Sequence, residues 1–105
     1  MTQIIAGTKT EFSIDPAIMQ LLPTQGSIEL QRDAAGKVHH FHTHPMDEIL
    51  VIIKGALKFW CEDGMRIVGP GDIIKLPAGT LHQSEALDDS IYAIATRPPA
   101  VPASN

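Results

Sequence analysis

Four of the five histidines fall within six residues, in the run His39-His40-Phe41-His42-Thr43-His44, and Glu48 follows four positions later. Imidazole nitrogens and carboxylate oxygens are ligands for zinc and other first-row transition metals. On a helix, His42 and His44 would lie about 200° apart and could not share an ion. On a strand, residues i and i+2 face the same way, so both rings point into one space. Glu48 has the same parity, but six residues of straight strand span about 20 Å, too far for a common ion. Pro45 removes the difficulty, because proline cannot continue a central strand. Pro45-Met46-Asp47 then reads as a turn, and Glu48 opens the next antiparallel strand beside His44. Two imidazoles and a carboxylate around one point leave coordination positions for Fe(II), O2 or substrate. The plainer alternative is a solvated edge strand that is rich in histidine.

The elements that must hold these residues are short. Eight glycines and eight prolines punctuate 105 residues, and the segments between them are rich in β-branched side chains. Strands are expected at 27–31, 37–43, 48–53, 56–61, 65–68, 73–76, 81–85 and 91–96. Turn signals separate them at Asp33-Ala34-Ala35-Gly36, Lys54-Gly55, Glu62-Asp63-Gly64, Gly69-Pro70-Gly71-Asp72, Pro77-Ala78-Gly79 and Asp88-Asp89-Ser90. Strands at this spacing predict an all-β sandwich or barrel. One short helix is expected at 17–22, with Asp15 as N-cap, Pro16 at its first position and Pro23 ending it. Residues 98–105 carry three prolines and little to bury, so an extended tail is expected there.

A second pattern widens the first. From Gly36 the chain reads Gly36-x5-His42-x-His44-x3-Glu48-x6-Gly55, and after fifteen residues Gly71-x5-Pro77-x-Gly79-x2-His82. These positions resemble the two motifs of the cupin superfamily at all nine places. At residue frequencies of about 7% or less, a chance match is on the order of one in 10^10, which outweighs the solvated-edge alternative. The resemblance departs in one place: Ala86 stands where the second motif usually ends in Asn, a position that does not ligate metal in the family.

The resemblance implies a double-stranded β-helix, that is, a jelly-roll cupin barrel, formed by one domain with a core over about 25–97. It also implies a divalent metal held inside by His42, His44, Glu48 and His82. The ligands alone do not choose among Fe, Mn, Ni, Cu and Zn. A structural zinc site is usually closed by four protein ligands, whereas sites of this family keep positions open. The expected activity is a small-molecule oxidoreductase of dioxygenase type, in which Glu48 can also take up a proton when displaced. The alternatives are a metal-dependent isomerase and a cupin that senses or binds a small ligand without turning it over.

The remaining residues fill in the picture. His40 shares the parity of His42 and His44, so it is expected to point into the barrel as pocket lining or proton shuttle, with His39 facing away. Asp47 reads as a solvated turn carboxylate. Leu50 and Ile52 share the parity of Glu48 and should line the interior, while Ile49, Val51 and Ile53 face outward. A strand apolar on both faces implies that both are covered, and a homodimer is the expected cover. Phe41, Phe59, Trp60 and Tyr92 are assigned to core or interface packing. Cys61 alternates with Leu57 and Phe59 and is expected to be buried.

Composition narrows the partners. Eight basic residues against twelve acidic ones give a net charge of -4, which disfavours nucleic acid. A single cysteine leaves no intramolecular disulfide and no paired-cysteine zinc or redox motif. The longest apolar run, Ile49 to Ile53, is too short to cross a bilayer, and no signal-peptide pattern opens the chain, so a cytoplasmic protein is expected. No phosphate loop, dinucleotide fingerprint or catalytic-serine motif is present, so the expected partner is a small molecule of another kind.

Overall fold

A computed structural model describes residues 1–8 and 13–99. One short helix, α1 (Pro16–Met19), precedes eight strands: β1 (Glu29–Asp33), β2 (Val38–His42), β3 (Asp47–Lys54), β4 (Leu57–Cys61), β5 (Gly64–Val68), β6 (Ile73–Leu76), β7 (His82–Ala86) and β8 (Ser90–Arg97). They form two antiparallel four-stranded sheets, ordered β1-β8-β3-β6 and β2-β7-β4-β5. All eight expected strands are present. Residues 98 and 99 follow β8, and the rest of the Pro-rich tail lies outside the described residues.

The interior follows the period of two along β3. Leu50 and Ile52 point inward and join Leu57, Ala86 and Tyr92 in one buried cluster. Ile52 and Leu57 are almost completely enclosed, and each contributes roughly 1.5–3 kcal/mol by leaving water. Ala86, the departure from the family motif, is part of this core and sits opposite Leu57.

The outer face of β3 is covered differently from the expectation. Val51, Ala93 and Ala95 pack against Leu21, with Ile18, Ile28 and Ile49 around them. The cover is therefore the chain's own N-terminal segment. Asp15 caps α1 by accepting a hydrogen bond from the Ala17 amide at 2.8 Å, and Pro16 supplies the fixed φ of a first helical residue. The fully buried alanines of β8 keep the sheet surface low enough for Leu21 to approach. Arg97 ties the segment down by donating to the Leu21 carbonyl at 2.8 Å.

Strand β1 begins and ends two residues later than the sequence predicts, because Asp33 is not a turn residue. It pairs with Ser90 as the last rung of the β1–β8 ladder and is buried, at 2% exposure. Burial is tolerated because three side chains donate to its carboxylate: Gln31 at 2.7 Å, Tyr92 at 2.8 Å and His39 at 2.9 Å. Burial alone would raise the Asp33 pKa, but the bonds from Gln31, Tyr92 and His39 outweigh it and hold the carboxyl below its ordinary value. Since β1 and β2 belong to different sheets, the Asp33–His39 contact also joins the two layers.

Candidate metal centre

His42 ends β2 and lies directly opposite His82, the first residue of β7, in the β2–β7 ladder. His44 stands two residues past the end of β2, and Glu48 is the second residue of β3. Strands β2 and β3 are not neighbours, contrary to the sequence reading. They lie in different sheets, and the turn at Pro45 carries the chain from one layer to the other. Glu48 therefore faces the histidines across the interior instead of from an adjacent strand.

The three imidazoles converge. One ligand atom from each of His42, His44 and His82 lies within 4.8 Å of the others, a set that can hold a metal ion. Ring centroids are 4.6 Å apart for His42–His44, 4.3 Å for His42–His82 and 5.1 Å for His44–His82. Glu48 is buried, at 8% exposure, and its Oε1 is 3.1 Å from Nε2 of His44. The carboxylate thus joins the imidazole group through His44.

The hydrogen bonds around the rings suit metal binding. Nδ1 of His42 donates to the carbonyl of His40, and Nδ1 of His82 donates to the carbonyl of Thr80 at 2.8 Å. A carbonyl can only accept, so the proton sits on Nδ1 and the Nε2 lone pair is left free in each neutral ring. Burial keeps the His82 pKa below its ordinary value, and positive charge on His42 or His44 pushes it the same way, against the Thr80 bond and Glu48. The lowered value favours the neutral ring, the form that can ligate a metal. Phe59 stacks on it at 5.8 Å with 19° between the planes, which fixes the ring's tilt.

Two contacts that the sequence analysis missed set the loop before His82. The Ala78 amide donates to Oδ1 of Asp47 at 2.7 Å, and the Gly79 amide donates to the His44 carbonyl at 2.8 Å. Asp47 is thus half-buried and clamps the loop at 77–80 to the turn that delivers Glu48. Only its place beside Glu48 hinted at this in the sequence.

The run of histidines is not used as its parity predicts. Pairing shifts between His39 and His42, where β2 carries one residue more than β7. This β-bulge reverses the alternation. His39 turns inward, lines the cavity and bonds to Asp33, while His40 is exposed. Cys61 is half-buried beside the turn at Glu62 and lines a separate surface cleft with Phe41 and Leu81. Phe59 and Tyr92 line the central cavity.

That cavity has a volume of about 360 Å³, the lower end of the range for small-molecule sites. Histidines and Glu48 occupy one part of its wall, and Leu50, Leu57, Phe59 and Ile94 supply apolar surface. Such a site can bind an ion, leave open positions toward the cavity and enclose a ligand of a few heavy atoms.

The Cupin domain family profile matches residues 29–94. Dimethylsulfoniopropionate lyase DddQ from Ruegeria pomeroyi is 36% identical over 61 residues, which is 57% of this chain and 30% of that protein. Its crystal structure superposes with a TM-score of 0.61 at 28% identity, covering 73% of this chain and 40% of that one. KdgF from Halomonas sp. has a TM-score of 0.58 at 23% identity, over 71% of this chain and 84% of its own. Oxalate decarboxylase from Bacillus subtilis, which has Mn(II) centres, has a TM-score of 0.60 at 23% identity, over 70% of this chain and 21% of its own. The last two show likeness of fold. The chain spans less than a third of the curated relative it matches. No helix among the described residues is long and apolar enough to cross a membrane.

Proposed function

The chain belongs to the cupin family, and on that footing we propose that it is a metal-dependent enzyme acting on a small molecule through an oxygen donor. The observation that carries this reading is the convergence of three imidazoles, with Glu48 against one of them, at the wall of a cavity of about 360 Å³. His42, His44 and His82 are the proposed ligands, with Glu48 as the fourth. A divalent ion held there supplies Lewis-acid polarisation of a bound oxygen, or access to O2 if the metal is redox-active. Around it the chain's own groups have separate tasks. Thr80 and the His40 carbonyl fix the ligand tautomers, Phe59 and Leu57 keep water from one side of the cavity, and Glu48 can accept a proton at Oε1 when it is not engaged with His44.

Two chemistries fit this site. A redox-neutral, lyase-type reaction is supported by the 36% match to a lyase and is the one we favour. The dioxygenase reading is supported by the ligand set itself, since histidines with one carboxylate and open positions suit Fe(II) and O2. Metal content of protein purified without added metal, followed by oxygen uptake with flavonols, diketones, thiols and aromatic diols, separates the two. Oxygen uptake selects the dioxygenase; a redox-inactive metal with no uptake selects the lyase type. His82→Ala should lower metal retention, and unchanged occupancy would remove His82 from the ligand set. Stoichiometric binding of small molecules with no turnover of any kind would leave a sensing cupin.

A homodimer is proposed on a different feature from the one the sequence suggested. Strand β5 is an edge of its sheet and exposes Met65 and Ile67, an apolar edge that natural proteins usually cover. Light scattering at the mass of one 11.4 kDa chain would remove it.

A further inference from the structure

The cavity wall carries carboxylates and, among the described residues, no lysine or arginine. Arg32 and Lys54 line a different cleft, and Arg97 is occupied with the Thr96 and Leu21 carbonyls. A divalent ion held at the histidines would be neutralised by Glu48 and one anionic group on a ligand. Two carboxylates then remain nearby. Asp33 already has three donors, whereas Glu29 is exposed at the cavity wall and has no hydrogen-bond or ion-pair partner among the described residues.

The register fixes where Glu29 stands relative to the metal centre. Glu29 pairs with Ile94, and Ile94 pairs with Leu50, so the three form one row across β1, β8 and β3. Glu48 lies two residues along β3 from that row. Two strand spacings and two residues put the Glu29 and Glu48 backbones about 12 Å apart. With both side chains reaching inward, the gap suits a chain of four or five atoms. Leu50 and Ile94 form its apolar floor. The same negative field acts on Tyr92, whose pKa is raised by burial first, then by its bond to Asp33 and the charges of Asp33 and Glu29.

We propose that this cavity selects small zwitterions, with a carboxylate at the histidine end and a cationic group at the Glu29 end, and that Glu29 is the residue that sets the preference. The inference rests on the metal-binding reading for the carboxylate anchor, while the choice of tail rests on Glu29 alone. Dianions such as dicarboxylates are disfavoured because no lysine or arginine lines the cavity to meet their second charge, and His39 is engaged with Asp33.

Three ligands of one length test it: 4-(trimethylammonio)butanoate, its uncharged isostere 5,5-dimethylhexanoate, and glutarate. Each is titrated calorimetrically into Zn(II)-loaded and metal-free protein, wild type and Glu29→Gln. The zwitterion should bind on the order of tenfold tighter than the isostere at low salt, with glutarate weakest. Glu29→Gln should bring the zwitterion and isostere together without changing zinc content. Equal affinity of the two in the wild type, a ratio unchanged by Glu29→Gln, or binding of neither ligand in either form overturns the proposal. Affinities independent of zinc, with the tail preference intact, would instead overturn the metal anchor and leave the role of Glu29 standing.

Discussion

Nε2 of His44 lies 3.1 Å from Oε1 of Glu48, although the turn between them carries the chain from one sheet to the other. The contact makes Glu48 the group that links the second layer to the imidazole cluster. Glu48→Gln keeps the size and a hydrogen-bonding oxygen but removes the charge. Zinc affinity should fall by at least the roughly 10–100-fold that loss of an outer hydrogen-bond partner costs, with little change in melting temperature of the metal-free protein. Competition with a chromogenic chelator reads this directly, and unchanged affinity would take Glu48 out of the ligand set.

Burial of His82 predicts that the metal-free fold is sensitive to acid. Its pKa in the folded protein lies below the ordinary 6.5, chiefly through burial. Between the lowered value and 6.5 the unfolded chain binds more protons than the folded one, so stability rises with pH across that window. The contribution is complete above pH 6.5 and is lost as pH falls through the folded value. In the presence of a chelator, the melting temperature should therefore drop between pH 7 and pH 5, and drop less in His82→Gln. A wild-type profile that is flat, or parallel to the variant's, would contradict this.

Asp33 is a structural carboxylate whose loss strands its partners. Asp33→Ala leaves the Tyr92 hydroxyl buried without its acceptor and should cost about 2–3 kcal/mol in denaturant unfolding. Asp33→Asn keeps an oxygen for Tyr92 and should cost less. If the two variants were equally stable, the hydrogen-bond account of this site would fail.

Gly55 and Gly71 share a positive φ, at 86° and 89°, but differ in surroundings. A Cβ at Gly55 would come within 2.3 Å of Ser90 Oγ and 2.5 Å of the Asp89 carbonyl, whereas one at Gly71 would meet nothing within 4 Å. Gly71→Ala should cost about 1–2 kcal/mol from backbone strain alone. Gly55→Ala adds overpacking against a fully buried serine and should cost about 2–5 kcal/mol in total. Unfolding curves of the two variants give the comparison, and equal costs would refute the steric half of it.

These residues also mark how much of the molecule was legible beforehand. Most strand positions, the Asp15 cap and the inward set Leu50 and Ile52 follow from local period and turn chemistry, and the structure has them, but β1 is displaced by two residues and α1 stops at Met19 instead of running to Leu22. The pairing of His42 with His44 follows from strand parity, whereas His82 joined them only through the resemblance to the cupin motifs, and the structure brings the three together. What sequence period could not carry was the change of layer at Pro45, because a turn does not say which strand its successor will pair with. Asp33 looked like a turn residue because its three donors come from Gln31, His39 and Tyr92, and Tyr92 is 59 residues away. Leu21 as the cover of Val51 is likewise a long-range contact that no local pattern encodes.

The single extra residue in β2 acts as a phase shifter. Upstream of it, His39 serves the Asp33 junction; downstream, His42 joins the imidazole cluster. Deleting one residue between His39 and His42 would restore even alternation and force a choice, with either the imidazoles or the junction turned to solvent. Length in this strand is therefore more tightly constrained than residue identity at His40 or Phe41, whose side chains are exposed.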